Sequence, residues 1–275
     1  MYDPFVCRGL DALIYGTYSA SRFVVAGTPS GVTLAPEGGA HQSTITASIG
    51  LELPGLTFIE PAYAGALDWL LCDALGRIAS GPSAPTTAQP GENGSYYFRL
   101  TTRPLDQAPF EAAKARIGET MLRRQVLAGA YRLVDASAVD GPTVYLVGSG
   151  AVLPEVLAAA EELAEEGVAA HVVDVTSLDR LYSAWQRTLR QGVRTATAPS
   201  TAGALRQVFG DRAPIVTVHD ASSHAMAWLG SALGAPCVPL GVDQFGQSGT
   251  VHELYELHDL LPGSIVNAAL AALSL

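Results

Sequence analysis

Short apolar segments alternate with longer segments of helical periodicity along most of this chain. In the first half, strands are predicted at 22–26, 56–60 and 96–101, where β-branched and aromatic residues are concentrated between turn residues. Helices are predicted at 10–18 and at about 64–78, because apolar residues recur there on one helical face. Strands that alternate with helices in this way favour parallel sheets covered by helices.

The second half continues this alternation. Its predicted strands lie at 131–134, 143–147, 171–175, 215–219 and 237–240, and its predicted helices at 154–166, 225–233 and 262–273. Both halves are therefore predicted to be α/β, and 275 residues are enough for two such domains. The stretch at 80–94 is rich in Ser, Pro and Gly and is predicted to be a surface loop.

Net charge and cysteine spacing restrict the class of protein. The formal charge of −10 would repel phosphate groups, so we expect no nucleic acid or anionic membrane as a partner. The apolar runs are shorter than the roughly 20 residues that a membrane-spanning helix needs. The three cysteines show neither metal-ligand spacing nor a disulfide pattern. These features predict a cytoplasmic protein.

A long, turn-rich segment presents a single imidazole. Residues 27–43, GTPSGVTLAPEGGAHQS, contain four glycines, two prolines and His41. The segment follows the predicted strand at 22–26, so it lies at the carboxyl end of a sheet, where α/β proteins bind ligands. Because glycine permits positive φ and close backbone approach, we expect His41 and Glu37 to face a cavity. The alternative is a loop histidine that only caps a turn.

A glycine-containing turn at 148–150 is similar to part of a dinucleotide-binding fingerprint. It follows a predicted strand and precedes a helix, and Asp174 ends the next strand. However, Leu153 occupies the position of the third glycine, and Pro154 follows it. We therefore favour a tight strand-to-helix turn. A nucleotide-binding oxidoreductase stays an alternative that rests on this turn alone.

Several motifs occur in an order that is known from other enzymes. The first half contains DPFVCRGLDAL, GTPSGVTLAPEGGAHQS, EPAY and YYFRLTTRP, and the second half contains VYLVGSGAVLPEVLAAAEEL and GVDQFGQSG. Together they resemble the homodimeric pyruvate dehydrogenase decarboxylating component and the wider transketolase family, which depend on thiamine diphosphate. The resemblance extends over nearly the whole chain. It implies that residues 1–105 form the later half of a pyrimidine-binding domain, that 106–128 connect, and that 129–275 form a transketolase C-terminal-like domain.

The resemblance also implies roles for individual residues. His41 matches the active-site histidine of the family, and an imidazole exchanges protons near neutral pH. Phe5, with Tyr2 beside it, matches an aromatic segment that packs on the aminopyrimidine ring of the cofactor. Glu37 matches an acidic position that faces substrate hydroxyls, and Asp243 is expected to shape the substrate entrance. The alternatives are a solvated carboxylate for Glu37 and core anchors for the two aromatic residues.

Two functional elements of the family have no match in this sequence. One is the motif that holds magnesium and the diphosphate, and the other is the glutamate that activates the pyrimidine ring; Glu37 and Glu60 stand in the wrong motifs to replace it. We therefore expect a second subunit to supply the diphosphate-binding domain, Mg²⁺ and that glutamate. The complex is expected to be a heterotetramer that shares the cofactor between chains, and this chain is expected to be inactive alone. A fragment of a longer polypeptide stays an alternative.

Three functions follow from this resemblance. The leading hypothesis is decarboxylation of a 2-oxo acid, with pyruvate as the expected substrate. The acyl group would then be transferred to a lipoyl group on a carrier protein. The first alternative is transketolase-like transfer of a two-carbon ketol unit from a sugar phosphate, which includes transfer to a carrier protein. The His-Gln pair of EGGAHQS is shared with transketolases and keeps this alternative open. The second alternative is a non-catalytic regulatory subunit.

Overall fold

The computed structural model describes residues 1–80, 94–210 and 212–275. The surface loop predicted at 80–94 falls, from 81 to 93, outside the described residues. Within the described residues, eight strands form two sheets. The strands are β1 Val24–Gly27, β2 Leu56–Ile59, β3 Ser95–Arg99, β4 Ala130–Val134, β5 Thr143–Ser149, β6 Ala169–Val175, β7 Ile215–His219 and β8 Cys237–Leu240.

Helices cover both sheets. They are α1 Leu10–Tyr18, α2 Thr46–Glu52, α3 Ala64–Ala79, α4 Ala108–Ile117, α5 Glu119–Ala128, α6 Leu153–Glu165, α7 Leu178–Thr195, α8 Gly203–Val208, α9 His224–Leu233, α10 Val251–Leu257 and α11 Pro262–Leu273. Short 3-10 segments lie at Asp3–Gly9, Gly31–Glu37, Gly39–His41 and Gly150–Val152. The α/β class predicted from the sequence is confirmed. In the described part of the chain, no helix has both the length and the apolar character required to cross a bilayer.

The first sheet is small and entirely parallel, with the strand order β1-β3-β2. The backbone hydrogen-bonding groups on the outer edge of β2 are paired with residues from the second half of the chain. Phe58 N–H donates to Asp179 at 3.0 Å, and Ser177 Oγ donates to the Phe58 carbonyl at 2.6 Å. Glu60 N–H, just beyond the strand, donates to the Thr176 carbonyl at 3.0 Å. The two halves are therefore joined by backbone groups that would otherwise be buried without partners.

The second sheet has the order β4-β6-β5-β7-β8 and differs in one strand from the expected parallel arrangement. Strand β4 pairs antiparallel with β6, whereas the other pairs are parallel. A parallel connection requires a long crossover, usually a helix, but no helix lies between β4 and β5. The segment 135–142 is short, so it only reverses the direction of the chain. Strand β4 therefore runs antiparallel to the rest of the sheet, at its edge.

Amphipathic helices close the core of the second half. On α6, the side chains of Leu153, Val156, Ala159 and Leu163 are fully buried, whereas the glutamates of the opposite face are exposed. The turn at 148–150 has a packing explanation. A Cβ at Gly148 would lie 2.8 Å from the Leu153 side chain. This close contact between β5 and α6 accounts for the glycine without a bound dinucleotide.

Candidate active site

Three aromatic side chains predicted to belong to the site lie together at the surface. The ring centroids of Tyr2 and Phe5 are 5.9 Å apart, and that of His41 lies 6.3 Å from Tyr2 and 5.8 Å from Phe5. The imidazole meets both rings edge-on. We refer to Tyr2, Phe5 and His41 as the aromatic cluster. Although His41 is 36 residues from Phe5 in the sequence, the fold places the two rings in contact.

Two short 3-10 segments present the cluster. Phe5 lies in Asp3–Gly9, and His41 ends Gly39–His41. Gly38 precedes the second segment with φ of 92°, a left-handed value that favours glycine. Gly38 therefore lets the chain turn sharply between Glu37 and His41.

Glu37 lies at the rim of the cluster. The Tyr2 hydroxyl donates a hydrogen bond of 3.3 Å to Glu37 Oε1, and both side chains are exposed to solvent. The Arg8 guanidinium lies over the Phe5 ring, 4.4 Å from its centroid, and covers part of that ring. The rim therefore combines a carboxylate with aromatic surface.

The His41 imidazole is not used for capping. Its Nδ1 atom is buried and has no hydrogen-bond partner among the described residues, and the bond to Gly38 is made by the backbone N–H of His41. A buried polar atom without a partner costs free energy, so it is normally paired by a group from outside the chain or retained for function. The imidazole thus has an unused proton donor or acceptor beside two aromatic rings.

A loop from the second half of the chain packs directly on residues 27–43, which we call the histidine loop. Gln42 Nε2 donates to the Gln247 carbonyl at 2.8 Å. A Cβ at Gly39 would lie only 1.8 Å from the Gly246 carbonyl oxygen, so this approach requires glycine. The site is therefore formed by both halves of the chain.

Asp243 lies apart from the aromatic cluster. Its carboxylate accepts hydrogen bonds from the Ser223 N–H at 2.9 Å and the Ser222 hydroxyl at 3.2 Å. Partial burial opposes ionisation, but these hydrogen bonds outweigh it and hold the pKa of Asp243 below its ordinary value. Asp243 lines a cavity of about 270 Å³ together with Ile45 and Phe245. The structure thus brings four of the five predicted residues together and leaves Asp243 in a neighbouring cavity.

A buried ionic network, which the sequence did not indicate as part of the site, lies beneath the cluster. Arg99, fully buried at the end of β3, donates from Nε to Asp3 at 3.0 Å and pairs with Glu60 through another nitrogen. Its remaining nitrogen donates to the Asp220 carbonyl at 2.6 Å. His219 Nε2 lies 2.8 Å from the second oxygen of Glu60. The network therefore links both halves of the chain.

The carboxyl groups of this region have strongly displaced pKa values. Burial alone would raise the pKa of Glu60, but the charges of Arg99 and His219 outweigh it and lower the pKa to about 2. Burial raises the pKa of Asp220 to about 7, against the opposing charge of Arg99. Burial likewise raises the pKa of Asp174 to about 7. One signal in the sequence could have indicated this network: an arginine inside an otherwise apolar strand, YYFRL.

Comparison with known proteins gives a consistent family relationship. Residues 129–260 match the family described as the transketolase-like TK C-terminal domain. The chain is 28% identical over 261 residues to the 6-deoxy-6-sulfo-D-fructose transketolase subunit SqwH of Clostridium sp. (strain MSTE9), a match that covers 92% of this chain and 65% of that subunit. It is also 28% identical to the pyruvate dehydrogenase E1 component of Escherichia coli (strain K12), over 94% of this chain and 27% of that protein.

Solved structures share the fold. A transketolase mutant from Pichia stipitis superposes with a TM-score of 0.70 at 17% identity, over 100% of this chain and 33% of the other. A split gene transketolase, an inactive beta4 tetramer, superposes with a TM-score of 0.64 at 19% identity, over 100% of this chain and 75% of the other. The chain thus spans less than two thirds of the SqwH subunit and about a quarter of the E1 component.

Proposed function

We propose a function from one premise: the chain belongs to the transketolase-like and pyruvate dehydrogenase E1 family, which uses thiamine diphosphate. We infer that it is one subunit of an enzyme that transfers a two-carbon ketol unit from a sugar phosphate to an acceptor. The similarity to the SqwH subunit supports ketol transfer better than the decarboxylation that the sequence suggested first. The observation that carries the proposal is the aromatic cluster, with its unpartnered imidazole nitrogen and Glu37 at its rim.

The residues of the cluster fit one end of the proposed cofactor. Aromatic side chains pack well against a flat heterocycle, and Tyr2 and Phe5 supply such a surface beside His41. When bound, thiamine diphosphate supplies a carbon nucleophile and an electron sink for cleavage of the bond next to a carbonyl. Across residues 1–80, 94–210 and 212–275, no group of three His, Cys, Asp or Glu side chains could hold a metal ion. We propose that the partner subunit holds Mg²⁺ and the diphosphate, because the family motif that binds them has no match in this sequence.

The chain's own residues would exchange protons with the substrate and orient it. The His41 imidazole would exchange a proton with the substrate oxygen whose charge changes during bond cleavage. Glu37 accepts hydrogen bonds from the substrate hydroxyls and thereby orients the ketose. Tyr2 holds the Glu37 carboxylate at the rim through its hydroxyl. Gln42, bonded to Gln247, keeps the histidine loop against the second half of the chain.

A partner subunit completes this proposal. The names of two relatives, a transketolase subunit and a split gene transketolase, support an arrangement of two kinds of chain. We propose that the partner carries the diphosphate-binding domain and the glutamate that activates the pyrimidine ring, in a heterotetramer. Asp243 would line the approach to the site from its neighbouring cavity.

Decarboxylation of a 2-oxo acid is the second candidate function, because pyruvate dehydrogenase E1 components are similar to this chain over most of its length. Under that alternative, the acyl group would pass to a lipoyl group on a carrier protein. The two candidates differ in their products. Ketol transfer yields a shortened aldose and no carbon dioxide, whereas decarboxylation releases carbon dioxide.

The test uses the tagged chain purified with its partner from the native host, supplied with thiamine diphosphate and Mg²⁺. We expect product from a ketose phosphate and an aldose acceptor, no turnover of pyruvate, and no turnover by the chain alone. His41→Ala should reduce the rate by at least about 100-fold, whereas the exposed His252→Ala should leave it unchanged. Carbon dioxide from pyruvate would favour the second candidate. Full activity of His41→Ala would favour the regulatory subunit.

A further inference from the structure

The two chain segments of the aromatic cluster converge on one buried carboxylate. Asp3, fully buried, lies between Tyr2 and Phe5 in the sequence. Its Oδ2 atom accepts hydrogen bonds from the hydroxyls of Ser43 and Thr46, the latter at 2.6 Å. Ser43 follows His41 by two residues. The Asp3 side chain thus connects the segment that carries Tyr2 and Phe5 to the segment that carries His41.

The Asp3 carboxylate is itself rigidly held. Oδ2 also accepts from Arg99 Nε at 3.0 Å, and Oδ1 accepts from the Tyr97 hydroxyl. Gly27 leaves the room for it, because a Cβ there would lie 2.4 Å from Oδ1. Four donors from β3, α2 and the histidine loop therefore fix both oxygens. A carboxylate with this many donors is oriented with little freedom to move.

We propose that Asp3 is a positioning residue, which sets the distance and angle between Tyr2, Phe5 and the His41 imidazole. The inference rests on the proposed function in one respect: the geometry matters for turnover only if His41 acts on the substrate. The Asp3 carboxylate accepts from all four donors at once, whereas an amide has only one acceptor oxygen and points two N–H groups at the remaining donors. Arg99 would remain compensated after that change, because Glu60 and the Asp220 carbonyl still bind it.

The variant Asp3→Asn tests the inference. In the complex with the partner, we expect kcat to fall by about 100-fold, with KM for the ketose changed by less than about threefold, because the reacting group is misplaced rather than substrate contacts removed. Ser43→Ala keeps the Asp3 and Arg99 side chains and removes the hydroxyl that donates to Asp3, which also accepts from Gly31 N–H at 3.1 Å and from Arg99 at 3.3 Å. It should reduce kcat in the same way but by a smaller factor. It therefore tests the inference even where Asp3→Asn does not fold.

A measurement on the chain alone does not depend on activity. In NMR spectra of the histidine-labelled full chain, we expect the ring currents of Tyr2 and Phe5 to displace the His41 ring signals, because both rings lie within 6.3 Å of the imidazole. Asp3→Asn and Ser43→Ala should shift them toward the positions of a solvated histidine. The matched control is Asp179→Asn, which removes another buried carboxylate that accepts from Phe58 N–H and Ser177. It should leave the His41 signals in place.

The outcomes separate this inference from the proposed function. If the wild-type complex does not turn over a ketose phosphate, the proposed function fails, while the NMR shifts still report on Asp3. Unchanged His41 signals in folded Ser43→Ala and Asp3→Asn would overturn the inference. Equal effects of Asp3→Asn and Asp179→Asn on the His41 signals would overturn it as well, because the carboxylate would then act only through general stability.

Discussion

The side chains of Glu60 and His219 meet at 2.8 Å between the two sheets of the protein, and both are buried. Glu60 follows β2 of the first sheet, and His219 ends β7 of the second. The other oxygen of Glu60 pairs with Arg99. The Glu60 carboxylate is therefore bound by Arg99 from the first sheet and by His219 from the second sheet.

Replacement of Glu60 by glutamine should destabilise the protein strongly at neutral pH. Arg99 would lose a buried charge partner, and breaking such a pair costs about 3 kcal/mol. Because the pKa of Glu60 is lowered to about 2 from 4.5, its stabilising effect is present above pH 4.5 and is lost as the pH falls toward 2. Urea unfolding followed by tryptophan fluorescence should show the difference between wild type and Glu60→Gln shrinking over that range.

The control for this measurement is Glu161→Gln on the exposed face of α6, which should change the free energy of unfolding by less than about 0.5 kcal/mol. A constant difference between wild type and Glu60→Gln from pH 7 to pH 2 would contradict the assignment of a lowered pKa to Glu60.

Asp174 should have the opposite dependence on pH. Burial raises its pKa from 3.8 to about 7, so the neutral carboxyl is the stable form in the folded protein. The stability that this group contributes is complete below pH 3.8 and is lost as the pH rises through 7. Asp174→Asn stays neutral, so the variant should gain about 4 kcal/mol relative to wild type between pH 4 and pH 8.

Chemical unfolding at several pH values measures this gain. The exposed Asp140→Asn serves as the control, and its difference from wild type should stay within about 0.5 kcal/mol at every pH. If the difference in unfolding free energy between Asp174→Asn and wild type were also constant with pH, Asp174 would be ionised in the folded protein at pH 5. The prediction would then be wrong.

Local periodicity was sufficient to predict much of the fold. The helix predicted at 64–78 is α3, Ala64–Ala79, because its apolar stripe is unbroken. In contrast, α7 was not predicted although it has 18 residues, because its arginines and other polar residues make the segment polar overall even though its apolar residues lie on one face. The antiparallel pairing of β4 also escaped prediction, because it depends on contacts with a strand about 40 residues away.

The candidate site was predictable only in part, for the same reason. Motifs placed Tyr2, Phe5, Glu37 and His41, and the structure brings these four together. The network beneath them joins residues as far apart in the chain as Glu60 and His219, which are separated by 159 positions. No local pattern encodes such a pairing, so it emerges only when the two sheets are packed together.

Gly39 should not tolerate a side chain. Alanine there would place Cβ 1.8 Å from the Gly246 carbonyl oxygen, which is backbone and cannot rotate away. We expect Gly39→Ala to cost about 1–3 kcal/mol in unfolding free energy and to reduce turnover by displacing the histidine loop. Thermal unfolding and the ketose assay measure both effects.

The matched control is Gly76→Ala in α3, where a Cβ would meet nothing within 4 Å. Because alanine is the better helix former, this variant should be more stable by up to about 1 kcal/mol and fully active. If Gly39→Ala were as stable and active as the control, the loop from the second half would not define the site.

Glu37 should determine the affinity for the ketose. Because hydrogen bonds to a charged acceptor contribute more than neutral ones, Glu37→Gln should raise KM for a ketose phosphate by about tenfold while kcat changes by less than about twofold. Tyr2→Phe removes only the hydroxyl that holds Glu37 at 3.3 Å, so its KM should rise by a smaller factor. Initial rates of the complex at varied ketose concentration measure both. An unchanged KM in Glu37→Gln would mean that the carboxylate is a solvated loop residue, and the assignment of a substrate-binding role to Glu37 would be wrong.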